Sequence, residues 1–280
     1  MKLFNRITII GLGLIGGSIA LAIKEKKLAK KVIGVSRRKI TIDQAVKNKI
    51  IDSAALDIKD GVMDSDFVII ATPVFKIVDI AGQIAPFLKK GTIISDAGST
   101  KRYITANIEK QIPKDVYFVG SHPIAGSEKS GIKSADKNLF KDAYCIVTKT
   151  KHTDLSALNK IKKFWYSLGM KVIVMSPSRH DMLLSKISHL PHAVSVSLVN
   201  SAGSQGIDLA AGGFKDTTRI ASGAPELWKD IFLTNKENLI KDIGVLKKEL
   251  FKIEAVLKSN DSRGLLNLLN RAKSLRDSLR

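Results

Sequence analysis

The chain has 280 residues, of which 44% are hydrophobic and 26% charged, a composition typical of a globular protein with about two domains. This composition excludes a peptide hormone, a disulfide-rich miniprotein and a disordered chain. The net charge of +20 comes from basic residues spread along the chain, without the aromatic interleaving or zinc-finger spacing of nucleic-acid binders. We therefore expect a basic surface that meets small anionic ligands, and no nucleic-acid partner.

The first elements alternate in the order strand, glycine turn, helix and strand. Residues 7–10 form a β-branched run that ends at a glycine, residues 18–26 have helix-forming character, and residues 31–35 are apolar again. This order and length are typical of a βαβ unit. The uncharged stretch after Lys2 and Arg6 resembles a secretion signal, but four glycines interrupt it and no cleavage site follows. We interpret it as part of the fold and expect no membrane association.

The alternation continues along the first two thirds of the chain. A helix is predicted at residues 154–168, which end at a glycine. Repeated strand and helix segments favour a doubly wound sheet covered by helices, and we assign this domain to residues 1–176. The remaining buried-strand candidates are residues 67–71, 92–95, 116–119, 144–148 and 172–175.

The pattern changes after residue 176. Residues 182–201, 227–259 and 262–279 carry apolar residues at helical spacing, and a glycine-rich stretch at residues 203–213 separates the first two. We predict an all-helical second domain at residues 177–280. A helical layer of this size can bury apolar surface against its own copy, so we expect a homodimer formed through this domain.

A glycine motif follows the first predicted strand and opens the first predicted helix. Gly11, Gly13 and Gly16 form G-x-G-x-x-G with Leu14 and Ile15 between the last two. In this context the motif predicts a Rossmann-type dinucleotide site, because the glycines allow a tight turn and a close approach of the backbone to a pyrophosphate. The N–H groups at the helix start suit the phosphate charge.

The end of the second strand bears on the choice of cofactor. An NAD site usually has an acidic residue there, about 20 residues beyond the motif, whereas this chain has Ser36, Arg37 and Arg38. Two guanidinium groups suit a 2′-phosphate, so we favour NADP over NAD. If the arginines only face solvent, NAD stays acceptable. Thr72 and Pro73 follow the next strand and are expected to border the cofactor.

Two polar loops follow later strands, on the face where sheets of this kind bind ligands. The first contains Ser99 and the second contains His122, whose ordinary pKa suits a proton acceptor beside the nicotinamide. A histidine before a proline also suits a structural turn. His189 and His192 lie three residues apart without a third ligand at convincing spacing, so we expect no metal. The single cysteine, Cys145, is interpreted as a core residue of a cytoplasmic protein.

Five segments together resemble the prephenate dehydrogenase family, which includes arogenate dehydrogenases. The resemblance extends over nearly the whole chain, and its most specific parts are the His-Pro-Ile-Ala-Gly and Asp-x-x-Arg blocks. The segments are residues 11–16, 96–99, 122–128, 189–192 and 213–221.

The resemblance implies a reaction and roles for its residues. The reaction removes hydride and a proton from the carbinol of prephenate, and carbon dioxide leaves as the ring becomes aromatic. His122 then accepts the hydroxyl proton, and Ser99 orients hydroxyl and cofactor. Substrate-binding roles are implied for Arg219 at the ring carboxylate, His192 near the side chain, and Glu128 and Asp216 around the arginine.

The expected activity is therefore oxidative decarboxylation of prephenate to 4-hydroxyphenylpyruvate in tyrosine biosynthesis. An arogenate dehydrogenase, which gives tyrosine directly, is the nearest alternative, because the two substrates differ only by a keto group and an ammonium. A remote alternative is a basic nucleotide-binding or nucleic-acid-binding protein without turnover.

Overall fold

The computed structural model describes residues 2–126 and 131–279. In these ranges the strands are β1 Phe4–Ile10, β2 Ala29–Val35, β3 Ser53–Ala55, β4 Phe67–Ile70, β5 Ile93–Asp96, β6 Tyr117–Phe118, β7 Ser121–Ile124, β8 Tyr144–Thr148 and β9 Lys171–Met175. The α-helices are α1 Leu14–Glu25, α2 Lys39–Lys47, α3 Ile58–Val62, α4 Val74–Ile84, α5 Arg102–Ile108, α6 Leu155–Ser167, α7 Pro177–Leu184, α8 Leu190–Asp208, α9 Gly212–Thr218, α10 Pro225–Thr234, α11 Lys236–Lys258 and α12 Ser262–Asp277.

The main sheet contains six parallel strands in the order β3-β2-β1-β4-β5-β6. The strand order reverses direction between β1 and β4, which is the switch point where such sheets bind ligands. Together with the helical second domain, this arrangement confirms the predicted Rossmann-type fold class.

The main sheet is buried on both faces, as its continuous apolar strands require. Phe4 of β1 stacks on Phe67 of β4 with ring centroids 4.8 Å apart, and Phe164 of α6 packs against both rings edge-on. Trp165 beside it is completely buried. These aromatic contacts hold α6 over the sheet and fix the ends of β1 and β4 relative to each other.

A second sheet lies beside the first, with the order β7-β8-β9. The predicted strands at residues 144–148 and 172–175 exist, but they pair here and not in the main sheet. β7 pairs with β8 in antiparallel register, so that His122 lies opposite Ile146. Sequence patterning missed β7, because its His-Pro sequence resembles a turn, and β3, which has only three half-buried residues.

The C-terminal part is helical from α7 onward. Helix α8 breaks at Gly203, whose φ of +62° together with a ψ of −178° is a combination that suits glycine. The long helices α11 and α12 leave many apolar side chains exposed, and none of the residues of α12 is buried. Among the described residues, no helix has the length and apolar character to cross a bilayer.

The two parts pack against each other close to the switch-point face of the main sheet. Helix α5 contacts α7, and α4 contacts α10. The hydroxyls of Thr100 and Thr234 share a hydrogen bond at 2.9 Å, and Arg102 forms an exposed ion pair with Glu237 at 2.7 Å. Side chains of the helical part therefore lie close to the loop that follows β5.

Candidate active site

The glycine motif lies at the switch point, between β1 and α1. Gly11 has a φ of +97°, and a Cβ on it would collide with the carbonyl group of Ala71 after β4. A Cβ on Gly16 would collide with the carbonyl oxygen of Gly11. Both positions therefore require glycine, for the backbone conformation in the first case and for the close turn in the second.

The start of α1 is shaped to receive an anion. Gly13 is the N-cap, provides no capping side chain, and faces open space where a Cβ would otherwise stand. The first N–H groups of a helix, here those of Leu14, Ile15 and Gly16, have no acceptor in the helix itself. A pyrophosphate group fits this combination of open space, N–H donors and helix dipole.

A cleft of about 440 Å³ extends from the glycine turn between β2 and α4. Thr72 lines this cleft, and its Oγ1 atom is a buried polar group without a hydrogen-bond partner. The predicted cofactor residues that line the cleft are Gly11, Ser36, Arg37, Arg38, Thr72 and Pro73. Their grouping fits a bound dinucleotide.

His122 stands in strand β7, where the sequence predicted a loop. The prediction of a loop was wrong because residues 121–124 pair with β8 through the backbone. Pairing with β8 fixes the backbone of His122, and its Nδ1 atom shares a hydrogen bond of 2.8 Å with Nε2 of His180. The histidine is thus held from its Nδ1 side by a residue of α7.

His180 and Asp181 are the residues that sequence reasoning missed. Nδ1 of His180 lies 2.7 Å from Oδ1 of Asp181. The same carboxylate accepts the backbone N–H of Lys101 at 2.7 Å and of Arg102 at 2.9 Å. Asp181 therefore ties the helical part to the start of α5. The only signal in the sequence is an adjacent His-Asp pair at the domain junction.

The loop that carries Ser99 is held by a buried ion pair between Lys101 and Asp96, whose side chains are 0% exposed. Asp96 also accepts the backbone N–H of Gly98 at 2.9 Å and of Ser121 at 3.3 Å. The carboxylate thus joins the Ser99 loop to the strand of His122. Ser99 itself is partly buried beside them.

The surroundings of His122 favour its neutral form. Burial lowers the pKa of His122 well below its ordinary value, and the nearby His180, Lys101 and His189 add to the effect. The pKa of His180 is also lowered, chiefly by burial, although Asp181 opposes the shift. Since desolvation and nearby positive charge both disfavour an imidazolium, His122 is unprotonated at neutral pH.

His192 lies in the helical part, in an aromatic setting. Its ring stacks on Trp228 with centroids 3.6 Å apart and planes 9° from parallel, and Phe232 packs on the pair edge-on. Nδ1 of His192 is buried without a hydrogen-bond partner, and burial lowers the pKa of the ring. His192 is therefore a neutral ring with an unmet polar atom.

Arg219 begins a 3₁₀ turn, residues Arg219–Ser222, that packs against α8. Gly223 at the end of this turn lies so close to His192 that a Cβ on it would stand 3.3 Å from Cε1 of the ring. Arg219 and Asp216 are both exposed. The predicted residue Glu128 lies outside the described residues.

Metal ligation was not expected from the sequence. Within residues 2–126 and 131–279, no group of three or more His, Cys, Asp or Glu side chains has an arrangement that could hold a metal ion.

Comparisons with known proteins agree over nearly the whole chain. The family model described as the prephenate dehydrogenase nucleotide-binding domain matches residues 19–174, and that of the prephenate dehydrogenase dimerization domain matches residues 176–271. The prephenate dehydrogenase of Bacillus subtilis is 38% identical over 98% of this chain and 76% of its own length.

Two solved structures are similar throughout. Prephenate dehydrogenase from Aquifex aeolicus, in complex with hydroxyphenyl propionate and NAD+, has a TM-score of 0.91 and 34% identity, covering 99% of this chain and 98% of its own. Synechocystis arogenate dehydrogenase has a TM-score of 0.85 and 30% identity, covering 98% of this chain and 100% of its own.

Proposed function

The chain belongs to the prephenate dehydrogenase family, and we propose that it converts prephenate to 4-hydroxyphenylpyruvate and carbon dioxide with reduction of a nicotinamide cofactor, in tyrosine biosynthesis. One observation carries the assignment of the site: a neutral, partly buried His122 is held through Nδ1 beside the switch-point face of the sheet. This leaves its Nε2 atom to meet a substrate hydroxyl.

The proposed chemistry needs one proton acceptor and one hydride acceptor. A dinucleotide held by the glycine turn and the cleft beside Arg37 and Arg38 would supply the acceptor for the hydride on the hydroxyl-bearing ring carbon. Nε2 of His122 takes the hydroxyl proton as the C–O bond gains double-bond character. The bond to the ring carboxylate then breaks, its electron pair makes the ring aromatic, and the proton returns to the ring oxygen. Atoms and charge balance with carbon dioxide as the only other product.

The other predicted residues receive binding roles. We assign Ser99 to orienting the substrate hydroxyl, because its loop is tied to the strand of His122 through Asp96. The guanidinium of Arg219 suits the ring carboxylate, and the family resemblance assigns Asp216 and Glu128 to interact with this arginine. His192 is assigned to the pyruvyl side chain, and its unmet Nδ1 atom supports a polar partner there.

The choice of cofactor is a separate proposal: NADP is preferred over NAD. Arg37 and Arg38 line the cleft, and residues 36–38 contain no carboxylate. Replacing both arginines with alanine should raise the Kd of NADP about tenfold or more, since hydrogen bonds to charged groups contribute about 1.5–3 kcal/mol. The Kd of NAD should barely move, and Lys39→Ala is the matched basic control. Equal affinity of the native protein for both cofactors would contradict the preference.

We further propose a homodimer formed through the helical part. Exposed apolar side chains on α11 and α12 support it, among them Phe251 at 67% and Leu275 at 64% exposed, because such surfaces are normally covered. Sedimentation should give a dimer for the native chain and for Lys252→Glu, and a weakened dimer for Phe251→Glu. A native monomer at micromolar concentration would contradict this proposal.

The domain boundary and the compartment complete the proposal. We place the boundary at residue 176, between β9 and α7, which the limits of the two family matches support. The single cysteine is buried, which supports the prediction of a reducing, cytoplasmic setting.

Arogenate is the second candidate substrate, because an arogenate dehydrogenase is among the similar structures. The deciding experiment measures initial rates by nicotinamide absorbance with prephenate or arogenate, each with NADP or NAD. We expect prephenate with NADP to be fastest. Turnover of arogenate but not prephenate would show that the chain is an arogenate dehydrogenase. Absence of turnover with either substrate would refute the proposed activity.

A further inference from the structure

A continuous hydrogen-bonded chain runs from Asp181 through His180 to His122. Both carboxylate oxygens of Asp181 face backbone N–H groups, one from Lys101 and one from Arg102. A carboxylate in this setting accepts hydrogen bonds. The contact with His180 must therefore be donated by the ring, so Nδ1 of His180 carries a proton.

The proton on Nδ1 of His180 determines where the proton of His122 lies. Burial lowers the pKa of His180, which keeps its ring neutral. A neutral imidazole with a proton on Nδ1 has a bare Nε2, which can only accept. Nδ1 of His122 must then donate across the 2.8 Å contact. The ring of His122, which is also neutral, is left with a lone pair on Nε2.

We propose that Asp181 and His180 are positioning residues that fix His122 in the tautomer with its proton on Nδ1 and its lone pair on Nε2. The inference rests on the proposed function, in which Nε2 takes the hydroxyl proton. Neither residue is assigned contact with substrate. Both act through the ring of His122, by setting its tautomer and its orientation.

The other titratable groups that face His122 do not compete for this role. Lys101 is paired with Asp96, and burial raises the pKa of the Cys145 thiol well above its ordinary range. Nδ2 of Asn235 donates to the carbonyl of Asp181 at 2.8 Å and to Nδ1 of His189 at 3.1 Å.

The contact with Asn235 also settles the state of His189. Because a carbonyl only accepts, the amide nitrogen of Asn235 faces it, and Nδ1 of His189 is an acceptor. Burial lowers the pKa of His189 to about 4, so this ring is neutral at neutral pH.

Nuclear magnetic resonance of the full-length protein labelled with ¹⁵N-histidine tests the tautomer without any turnover. His122→Asn identifies the signals of that ring by their loss. We expect a protonated Nδ1 and a bare Nε2 for His122 in the native protein, and a mixture of tautomers in His180→Phe. A proton on Nε2 of native His122 would overturn the proposal, as would an unchanged tautomer in His180→Phe.

Kinetics supply the second test. His180→Phe should lower kcat about 10- to 100-fold, a part of the ~10²–10⁴ that a positioned base contributes, with KM and cofactor Kd nearly unchanged. His180→Gln should recover most of the loss, because its amide can donate to Asp181 and accept from Nδ1 of His122. Thr234→Val, which removes another contact between the two parts, should keep the native kcat.

The outcomes distinguish a failure of the positioning role from a failure of the proposed function. A glutamine variant as slow as the phenylalanine variant, or native kcat in both, would overturn the positioning role. If His180→Phe fails to fold, the resonance measurement on the native protein still decides. A native protein that does not turn over prephenate but shows the expected tautomer of His122 would refute the proposed function and leave the hydrogen-bond argument intact.

Discussion

Replacing Lys101 with methionine tests the claim that a buried ion pair holds the loop beneath the active site. Methionine keeps most of the apolar stem and removes the charge, so Asp96 loses its cationic partner in a site where both side chains are 0% exposed. Removal of one partner from a buried pair costs about 3–5 kcal/mol, because the remaining charge is uncompensated. In the part of the chain that the structure describes, Asp96 then keeps hydrogen bonds from the backbone N–H groups of Gly98 and Ser121.

The expected loss converts to a shift in the melting temperature. At about 2–4 °C per kcal/mol for a chain of this size, Lys101→Met should melt about 6–20 °C below the native protein in calorimetry or circular dichroism. Lys137→Met is the matched control, since its pair with Glu25 at 3.2 Å is exposed on both sides and such pairs contribute about 0–1 kcal/mol. Adding Asp96→Asn to Lys101→Met should restore part of the loss.

The same variant has a consequence for activity. Lys101 is one of the charges that lower the pKa of His122, so its removal should raise that pKa. The acid limb of the kcat/KM profile then moves to higher pH. A melting temperature equal to that of Lys137→Met, together with an unmoved acid limb, would refute the reasoning about this ion pair.

Four further predictions follow from the site. His122→Asn should lower kcat about 10²–10⁴-fold while cofactor titration gives the native Kd; native turnover would remove its role as base. Arg219→Ala should raise KM for prephenate about 10- to 100-fold, from the loss of a hydrogen bond to a charged group, with a smaller change in kcat; an unchanged KM in steady-state kinetics would argue against carboxylate binding. For the native enzyme, kcat/KM should stay constant through neutral pH and fall only at acid pH, because His122 must be unprotonated and its pKa is lowered; an acid limb above the ordinary histidine pKa would contradict the electrostatics. Gly16→Ala should weaken cofactor binding, because its Cβ would collide with the Gly11 carbonyl, whereas Gly244→Ala, with open space around it, should bind normally in the same titration.

The main sheet could be predicted from the sequence because parallel strands buried on both faces appear as short apolar runs. The position of the cofactor cleft could also be predicted, from the glycine motif. The backbone segments approach each other so closely there that residues with a Cβ do not fit. Strand β7 could not be predicted in this way. Its pairing with β8 depends on a chain reversal, and residues 121–124 lack apolar alternation and contain a His-Pro pair that resembles a turn.

The site itself was only partly predictable. His122 and the residues of the cofactor cleft stand next to predicted strand ends, where a sequence pattern points to them. His180 and Asp181 do not. Asp181 is buried because its carboxylate accepts backbone N–H groups about eighty residues earlier in the chain, and a contact across that distance leaves no local pattern.

Lys101 and Asp96 illustrate a related limit. Their presence in a polar loop was evident from the sequence, but two charged residues near each other usually indicate a solvated surface. Their complete burial follows only from the packing of α7 and β7 over the loop. The sequence therefore shows which charged residues are present, whereas the effect of their charges on the pKa of His122 depends on the fold.

The central claim is that this chain oxidises and decarboxylates prephenate with His122 as the proton acceptor. Its most direct test adds a known amount of prephenate to the native protein with excess NADP or NAD and quantifies reduced cofactor and 4-hydroxyphenylpyruvate in the same sample. The account predicts equal amounts of the two products from the native protein and a drastically slowed appearance of both from His122→Asn. Reduced cofactor without 4-hydroxyphenylpyruvate, or product formed at the native rate by His122→Asn, would contradict it.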